Sequence, residues 1–293
     1  KYLYFTLCFS IFKWNKTFGS HNFDATALIN AEKYQKWDNT MTNRGFLPSD
    51  VLSWHNISTG TNPTVSSNDE YSTGDGLMGR LFYSFKDRYM LTLSARRDGY
   101  SAFGQANPRA TFPSVALGWV FTDEKFFKSS WLNYGKLRAS WGVNGNRDIG
   151  RYVALSNLIT GKYLYVKGDG TVYQANQLYV DRMQNSNLKW EKTTSYNLGL
   201  DFGILNNRID GSIEVYKSST TDLLVQRSLP DVVGFSFVMD NVGEVQNRGF
   251  EISLNSVNMN RSKFTWRTSF NFQLNRNKIV HLYGDKDATG KER

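Results

Sequence analysis

A chain of 293 residues with a formal charge of +9, five prolines, 24 glycines and 15% aromatic residues has the turn-rich, aromatic make-up of a sheet protein rather than a helical one. No stretch approaches the roughly 18 consecutive apolar residues of a membrane helix, and the mean hydropathy of -0.48 leaves membrane-crossing strands open, because alternation hides their apolar half. The single cysteine, Cys8, excludes an internal disulfide or a multi-cysteine metal site, and the basic residues are scattered rather than gathered, which speaks against nucleic acid as a partner.

Ten strands are predicted in chain order, at about 2–14, 22–34, 77–86, 89–98, 112–121, 136–144, 191–204, 208–218, 248–255 and 263–275. The first could imitate the apolar part of a signal peptide, but no small-residue cleavage site follows it, only Lys13-Trp14-Asn15-Lys16. Farther along, Leu137, Ala139, Trp141 and Val143 alternate with Arg138, Ser140, Gly142 and Asn144. The clearest signal is a hairpin. Tyr196, Leu198, Leu200, Phe202 and Ile204 alternate with Ser195, Asn197, Gly199, Asp201 and Gly203; Leu205-Asn206-Asn207 turns the chain; Ile209, Ile213 and Val215 resume against Asp210, Ser212 and Glu214. Period two over that length gives each strand one apolar face. Phe250, Ile252 and Leu254 repeat the pattern, as do Phe264, Trp266, Phe270, Phe272 and Leu274. Strands of soluble proteins usually run about five or six residues, whereas strands that cross a bilayer need roughly 9–11.

The connections alternate in length. Short ones fall at Phe18-Gly19-Ser20-His21, Lys86-Asp87-Arg88, Leu205-Asn206-Asn207 and Val257-Asn258-Met259-Asn260, with a medium one at Asp123 to Tyr134; long ones fall at 35–76, 99–111, 145–190 and 219–247. In an up-and-down sheet every second connection lies on the same edge, so Ser20, Asp87 and Asn206 should lie on one rim and Asn56, Gly170 and Ser236 on the other. Short turns on one rim and long loops on the other are the pattern of an outer-membrane β-barrel. Leu200, Phe202, Ile213, Phe250 and Phe272 should then point outward, and Asp201, Glu214, Glu251 and Asn271 into the lumen. In the first strand the lumen face would carry Tyr2, Tyr4, Cys8 and Phe12, an unusually apolar set. Both ends read as cut, at Lys1 and in the charged tail Lys291-Glu292-Arg293. Ten strands in an open sheet would leave two edges unpaired in hydrocarbon, so closure needs further strands. A soluble or surface-anchored all-β glycan-binding module is the alternative.

No catalytic constellation is visible, and none of the three histidines, His21, His55 and His281, has a metal-ligand partner at suitable spacing; each reads as a turn or loop residue. Asp285-Lys286-Asp287-Ala288-Thr289-Gly290 resembles the first half of a calcium loop, but its closing Glu would fall beyond residue 293. Neither a metal nor a cofactor is expected. The candidate ligand contacts are the loop aromatics Trp37, Trp54, Tyr163, Tyr165, Phe235 and Phe237. Such rings can stack on sugars or grip peptides; equally, they can pack loops together or join an interfacial aromatic girdle.

Specific phrases carry a family resemblance. Lys86-Asp87-Arg88-Tyr89, Arg96-Arg97-Asp98-Gly99, Phe103-Gly104 and Phe112-Pro113-Ser114 with Gly118-Trp119 occur in that order. Leu137-Arg138-Ala139-Ser140-Trp141-Gly142 with Gly145-Asn146, Leu188-Lys189-Trp190-Glu191, Asn197-Leu198-Gly199-Leu200-Asp201 and Asn241 through Gly249 follow. From about Lys16 to Tyr283 the chain resembles the barrel of SusC/RagA-type TonB-dependent transporters. The resemblance implies an all-β, antiparallel, up-and-down barrel segment of about ten strands within a 22-stranded barrel, so that 1–293 is a partial barrel domain without its plug or C-terminal strands. It also implies a location in the outer membrane of a Gram-negative bacterium, in contact with its lipid, and no enzymatic activity. Active import of oligosaccharides or peptides would be driven by TonB through the plug, under a SusD-like lipoprotein lid.

Overall fold

The computed structural model describes residues 2–48, 50–51 and 55–282. Fourteen strands account for most of them: β1 (Tyr2–Phe18), β2 (His21–Thr42), β3 (Thr64–Phe85), β4 (Tyr89–Tyr100), β5 (Arg109–Val120), β6 (Leu132–Asn146), β7 (Asn157–Val166), β8 (Val172–Arg182), β9 (Glu191–Ile204), β10 (Ile209–Thr221), β11 (Leu224–Ser228), β12 (Phe237–Asn241), β13 (Glu244–Arg261) and β14 (Phe264–His281). Ten form one antiparallel sheet in the order β1-β2-β3-β4-β5-β6-β9-β10-β13-β14, while β7-β8 and β11-β12 are separate two-stranded hairpins. The ten sheet strands are the ten expected from the alternation. Because every neighbour in the sheet follows in chain order and pairs antiparallel, Ser20, Asp87 and Asn206 share the short-turn rim, and Asn56, Gly170 and Ser236 belong to connections on the long-loop rim.

Register sorts the side chains into two unlike faces. One row runs Phe23, Tyr83, Leu91, Leu117, Ala139, Leu198, Val215, Phe250, Leu274 across nine strands. On the opposite face a row runs Lys13, Thr26, Arg80, Ser94, Ser114, Gly142, Ser195, Ser218, Asn247, Asn277. Cross-strand partners share a face, so Leu200, Phe202, Ile213, Phe250 and Phe272 belong to the apolar face and Asp201, Glu214, Glu251 and Asn271 to the polar one. No second layer covers the apolar face among the described residues: Leu117, Leu198 and Tyr196 are 55%, 54% and 57% exposed. A soluble sandwich would bury that surface against another sheet.

The polar face is cross-linked by charge. Arg138 on β6 donates from Nε and Nη2 to Asp201 on β9, at 2.8 and 2.7 Å, and from Nη2 to Glu214 on β10 at 2.7 Å; Asn197 donates to the other Glu214 oxygen at 3.1 Å. The two-pronged contact is the strong form of an arginine–carboxylate pair.

At the short-turn rim, Phe18, His21, Phe85, Tyr89 and Trp119 form one register row of rings on five successive strands. Phe85 and Tyr89 stack at 6.3 Å, and His21 lies 4.7 Å from Phe85. Glu124, in the β5–β6 connection, ties this rim together: it accepts from the Tyr89 hydroxyl, from Trp119 Nε1 at 3.2 Å and from Arg88 Nη1 at 3.1 Å. The Tyr89 hydrogen bond, helped by Trp119 and Arg88, holds the Glu124 carboxyl below its ordinary range. A depressed folded pKa contributes stability above the unfolded pKa that is lost as pH falls through the folded value. Glu124→Gln is therefore expected to lower thermal stability at neutral pH and to flatten its acid dependence, measured by melting the full-length protein from pH 7 down to pH 3. An unchanged acid limb would remove Glu124 from this role.

Four sequence expectations are corrected. The first long loop, 35–76, shrinks to 43–63, because β2 runs to Thr42 and β3 starts at Thr64. Residues 64–76 are polar on both sides, so alternation could not reveal them, yet their pairing with β2 is continuous. The last turn lies not at 257–260 but at Ser262-Lys263, since β13 continues past a register shift between Val257 and Met259. In β1, Tyr2, Tyr4, Cys8 and Phe12 pair with Trp37, Gln35, Ala31 and Ala27 on the apolar face, which leaves Leu3, Phe5, Leu7, Phe9 and Ile11 on the polar one. Both faces of that strand are apolar, so periodicity could not choose between them and the pairing with β2 does. Finally, His21 opens β2 and His281 closes β14, so neither lies in a turn.

Candidate functional site, the long-loop rim

The buried residues of the described chain gather mainly where the long connections meet the sheet. Trp190, 3% exposed, stacks on Phe103 at 4.8 Å and meets Phe112 edge-on at 5.5 Å, with Tyr100, Ala110, Val143, Ile149 and Leu224 packed around them. Backbone bonds complete the knot: Gly104 N donates to Leu188 O at 3.1 Å, and Ala106 N to Ser186 O at 3.2 Å. Gly104 has to be glycine, because a Cβ there would stand 2.1 Å from the Ser186 carbonyl oxygen. Asparagines strap the third and fourth connections together. Asn241 Nδ2 donates to Lys189 O at 2.8 Å and to Asp222 O at 2.9 Å, its Oδ1 accepts from Lys189 N at 2.8 Å, and Asn185 Nδ2 donates to Met239 O at 2.8 Å.

From this knot the chain leaves β6 and folds across the polar face of β2 and β3. Arg147 pairs with Glu32 and lies 4.8 Å over the Tyr100 ring. Arg151 pairs with Glu70 at 3.0 Å, donates to Ser72 at 3.2 Å and caps the Tyr34 ring at 3.6 Å. Tyr152 holds a left-handed φ of +61°, costly for a bulky residue. It is secured there by accepting from Tyr71 N at its hydroxyl, 2.6 Å, and from Arg182 Nη2 at its carbonyl, 3.0 Å.

Beyond that clasp the β7–β8 hairpin projects. Asn185 N donates to Ala154 O at 3.0 Å, so the segment leaves and rejoins the rim at one point. Register places Tyr163, Tyr165, Tyr173 and Tyr179 on one face of the hairpin and Leu158, Leu164, Val166, Val172, Leu178 and Val180 on the other. Tyr163, Tyr165 and Tyr173 are 56%, 54% and 55% exposed.

The six candidate ligand residues thus fall in different places. Tyr163 and Tyr165 share one exposed face. Phe235 and Phe237, at the β11–β12 hairpin, are half-buried. Trp37 is not in a loop: it lies on β2, on the apolar face, edge-on to Tyr4 at 5.8 Å. Trp54 and the Asp285–Gly290 stretch lie outside the described residues. The knot has no local sequence signature, although its members stand inside the phrases Phe103-Gly104, Phe112-Pro113-Ser114, Leu188-Lys189-Trp190-Glu191 and Asn241 through Gly249. That they serve one structure was not readable from their separate positions.

A family model described as TonB dependent receptor-like, beta-barrel matches residues 3–292. The chain belongs to the TonB-dependent receptors. Within them it is of the SusC/RagA type. It is 40% identical over 225 residues to the TonB-dependent receptor SusC of Bacteroides thetaiotaomicron, covering 74% of this chain and 22% of that one. Against TonB-dependent receptor P3 of Formosa agariphila the identity is 37% over 284 residues, 94% of this chain and 27% of that one. A solved structure of the RagAB peptide transporter superposes with a TM-score of 0.80 at 26% identity, over 96% of this chain and 30% of the other. This chain therefore spans about a quarter of the receptors it matches. These relatives are TonB-dependent receptors rather than enzymes, and the soluble-module alternative gives way to that membership.

Proposed function

We propose that this chain forms ten strands of wall, and part of the mouth, of an outer-membrane receptor that imports large nutrients by TonB-dependent active transport. The observation that carries the reading is the single-layer sheet with one uncovered apolar face and one polar, ion-paired face, its long connections all on one rim. Such a sheet is matched to lipid outside and water inside. On this reading the domain is a partial barrel, closed by strands outside this sequence, and the plug that engages TonB also lies outside it. The long-loop rim is extracellular, in a Gram-negative outer membrane, beneath a SusD-like lipoprotein lid; the cargo is an oligosaccharide or a peptide. The knot and the arginine clasp hold the loops still, while the hairpin faces supply contact surface.

The deciding experiment is uptake of labelled oligosaccharide and peptide mixtures by cells carrying the full-length receptor, with and without a working TonB. Uptake that persists without TonB would overturn the proposal. For the mouth, Tyr163, Tyr165 and Tyr173 are the candidate cargo contacts, each ring worth about 0.5–1.5 kcal/mol when stacked. Replacing all three with Ala is expected to weaken uptake by about tenfold or more while heat-modifiability of the barrel on gels stays normal. Unchanged uptake would assign that face to something other than cargo.

A further inference from the structure

On three successive strands the apolar face ends, toward the long-loop rim, in a cation at the same register: Lys217 on β10, Arg248 on β13 and Arg276 on β14, with Lys278 one step beyond, opposite Gln246. Each stands directly after an apolar run, of Ile213 and Val215, of Leu254, Ile252 and Phe250, or of Phe270, Phe272 and Leu274. All four side chains are exposed. None appears in an ion pair among the described residues, whereas Arg96 and Arg138 on the polar face are paired with carboxylates. Adjacent strands lie about 4.8 Å apart, so the cations form one compact cluster. Their neighbours on the same face are Val215, Phe250 and Leu274 below and Ser219 and Gln246 above; the carboxylate of Glu244, beyond them toward the rim, is engaged by Ser219 and His281.

Beside the cluster the apolar face is grooved. A groove of about 520 Å³ begins at Lys217 and runs between Trp141, Tyr196 and Val215 over Ala139. It shares Leu117, Ala139 and Leu198 with a second groove of about 510 Å³ that reaches Tyr89 and Trp119 at the short-turn rim. Ala139, small among Leu and Trp, leaves the depression. Charge on a lipid-facing surface is tolerated only near an interface, and basic groups there attract anionic headgroups. We propose that this surface binds a phosphorylated glycolipid of the outer leaflet, with its phosphate on Lys217, Arg248, Arg276 and Lys278 and an acyl chain in the groove over Ala139. The inference rests on the reading of the apolar face as lipid-facing and of the long-loop rim as extracellular.

The test uses the full-length receptor, purified in mild detergent, stripped of lipid and titrated with lipid A, with enzymatically dephosphorylated lipid A and with inorganic phosphate, bound copies being counted by native mass spectrometry. The wild type is expected to bind lipid A at least tenfold tighter than its dephosphorylated form, and the variant Lys217→Gln/Arg248→Gln/Arg276→Gln is expected to lose that preference. Ala139→Phe, which fills the groove and keeps the cations, is expected to weaken both lipids alike; it keeps the test open should the triple variant fail to assemble. Equal binding of the two lipids by the wild type, an undiminished preference in the triple variant, or inorganic phosphate displacing lipid A from the protein at equimolar concentration would each overturn the proposal. Heat-modifiability of the same wild-type preparation, and TonB-dependent uptake by the cells that produce it, report separately on the barrel reading.

Discussion

Replacing Trp190 with alanine is expected to cost about 3–5 kcal/mol of local stability at the long-loop rim, the range for losing a large buried aromatic. The ring is nearly fully buried, stacks on Phe103, meets Phe112 edge-on and donates from Nε1 to Pro108 O at 3.4 Å. It therefore joins the β4–β5 connection to the chain arriving at β9. Because the knot sits at the rim, loss should appear as opening of the loops before unfolding of the sheet. Hydrogen exchange on the full-length receptor should show residues 101–108 and 185–190 losing protection, with β9 and β10 unchanged. Trp190→Phe should retain part of the effect. Wild-type protection in Trp190→Ala would mean that the asparagine straps alone hold the loops.

Leu198→Arg is the second large effect. Leu198 stands in the middle of the nine-strand apolar row, between Ala139 and Val215. An arginine there faces hydrocarbon at a cost of roughly 2–4 kcal/mol near the bilayer midplane. Ser212→Arg, on the polar face opposite Asp201, gains a carboxylate partner and should be close to neutral. Refolding of the full-length receptor into lipid vesicles across a urea series separates the two. Equal stability of both variants would mean that the faces are not lipid and lumen.

The alternation made most of the wall legible, since a strand between lipid and water must write its two environments into successive residues. Tyr196 through Ile204 therefore revealed β9 with its orientation. Where both sides meet the same medium the signal vanishes: Thr64 to Gly76 stand in polar surroundings on either face, and Leu3 to Ile11 are apolar whichever way they turn. In both cases only pairing with β2 decides. The mouth was less legible for a different reason. Glycines, asparagines and single aromatics hold Trp190, Asn241 and Gly104 together, and each contact joins residues far apart in the chain, a relation that no local period encodes. Tyr163 and Tyr165 are exposed rings in a polar stretch, which their sequence context indicates, whereas Trp37 lies on β2, in a strand that outruns the apolar band and so looks like a loop.

Hydrogen bonds from Asn185 N to Ala154 O and from Arg182 to the Tyr152 and Leu155 carbonyls close the projecting hairpin at its neck, where it leaves and rejoins the rim. A segment fastened at one point behaves as a cassette. Lengthening it, shortening it or exchanging its tyrosines leaves the spacing of its ends untouched, so the wall does not have to be retuned. Closing a longer loop adds only about 0.6 kcal/mol for each doubling of length. On the proposed function, contact with cargo and assembly of the wall are thereby uncoupled, so that the hairpin can change while the register of the sheet stays fixed.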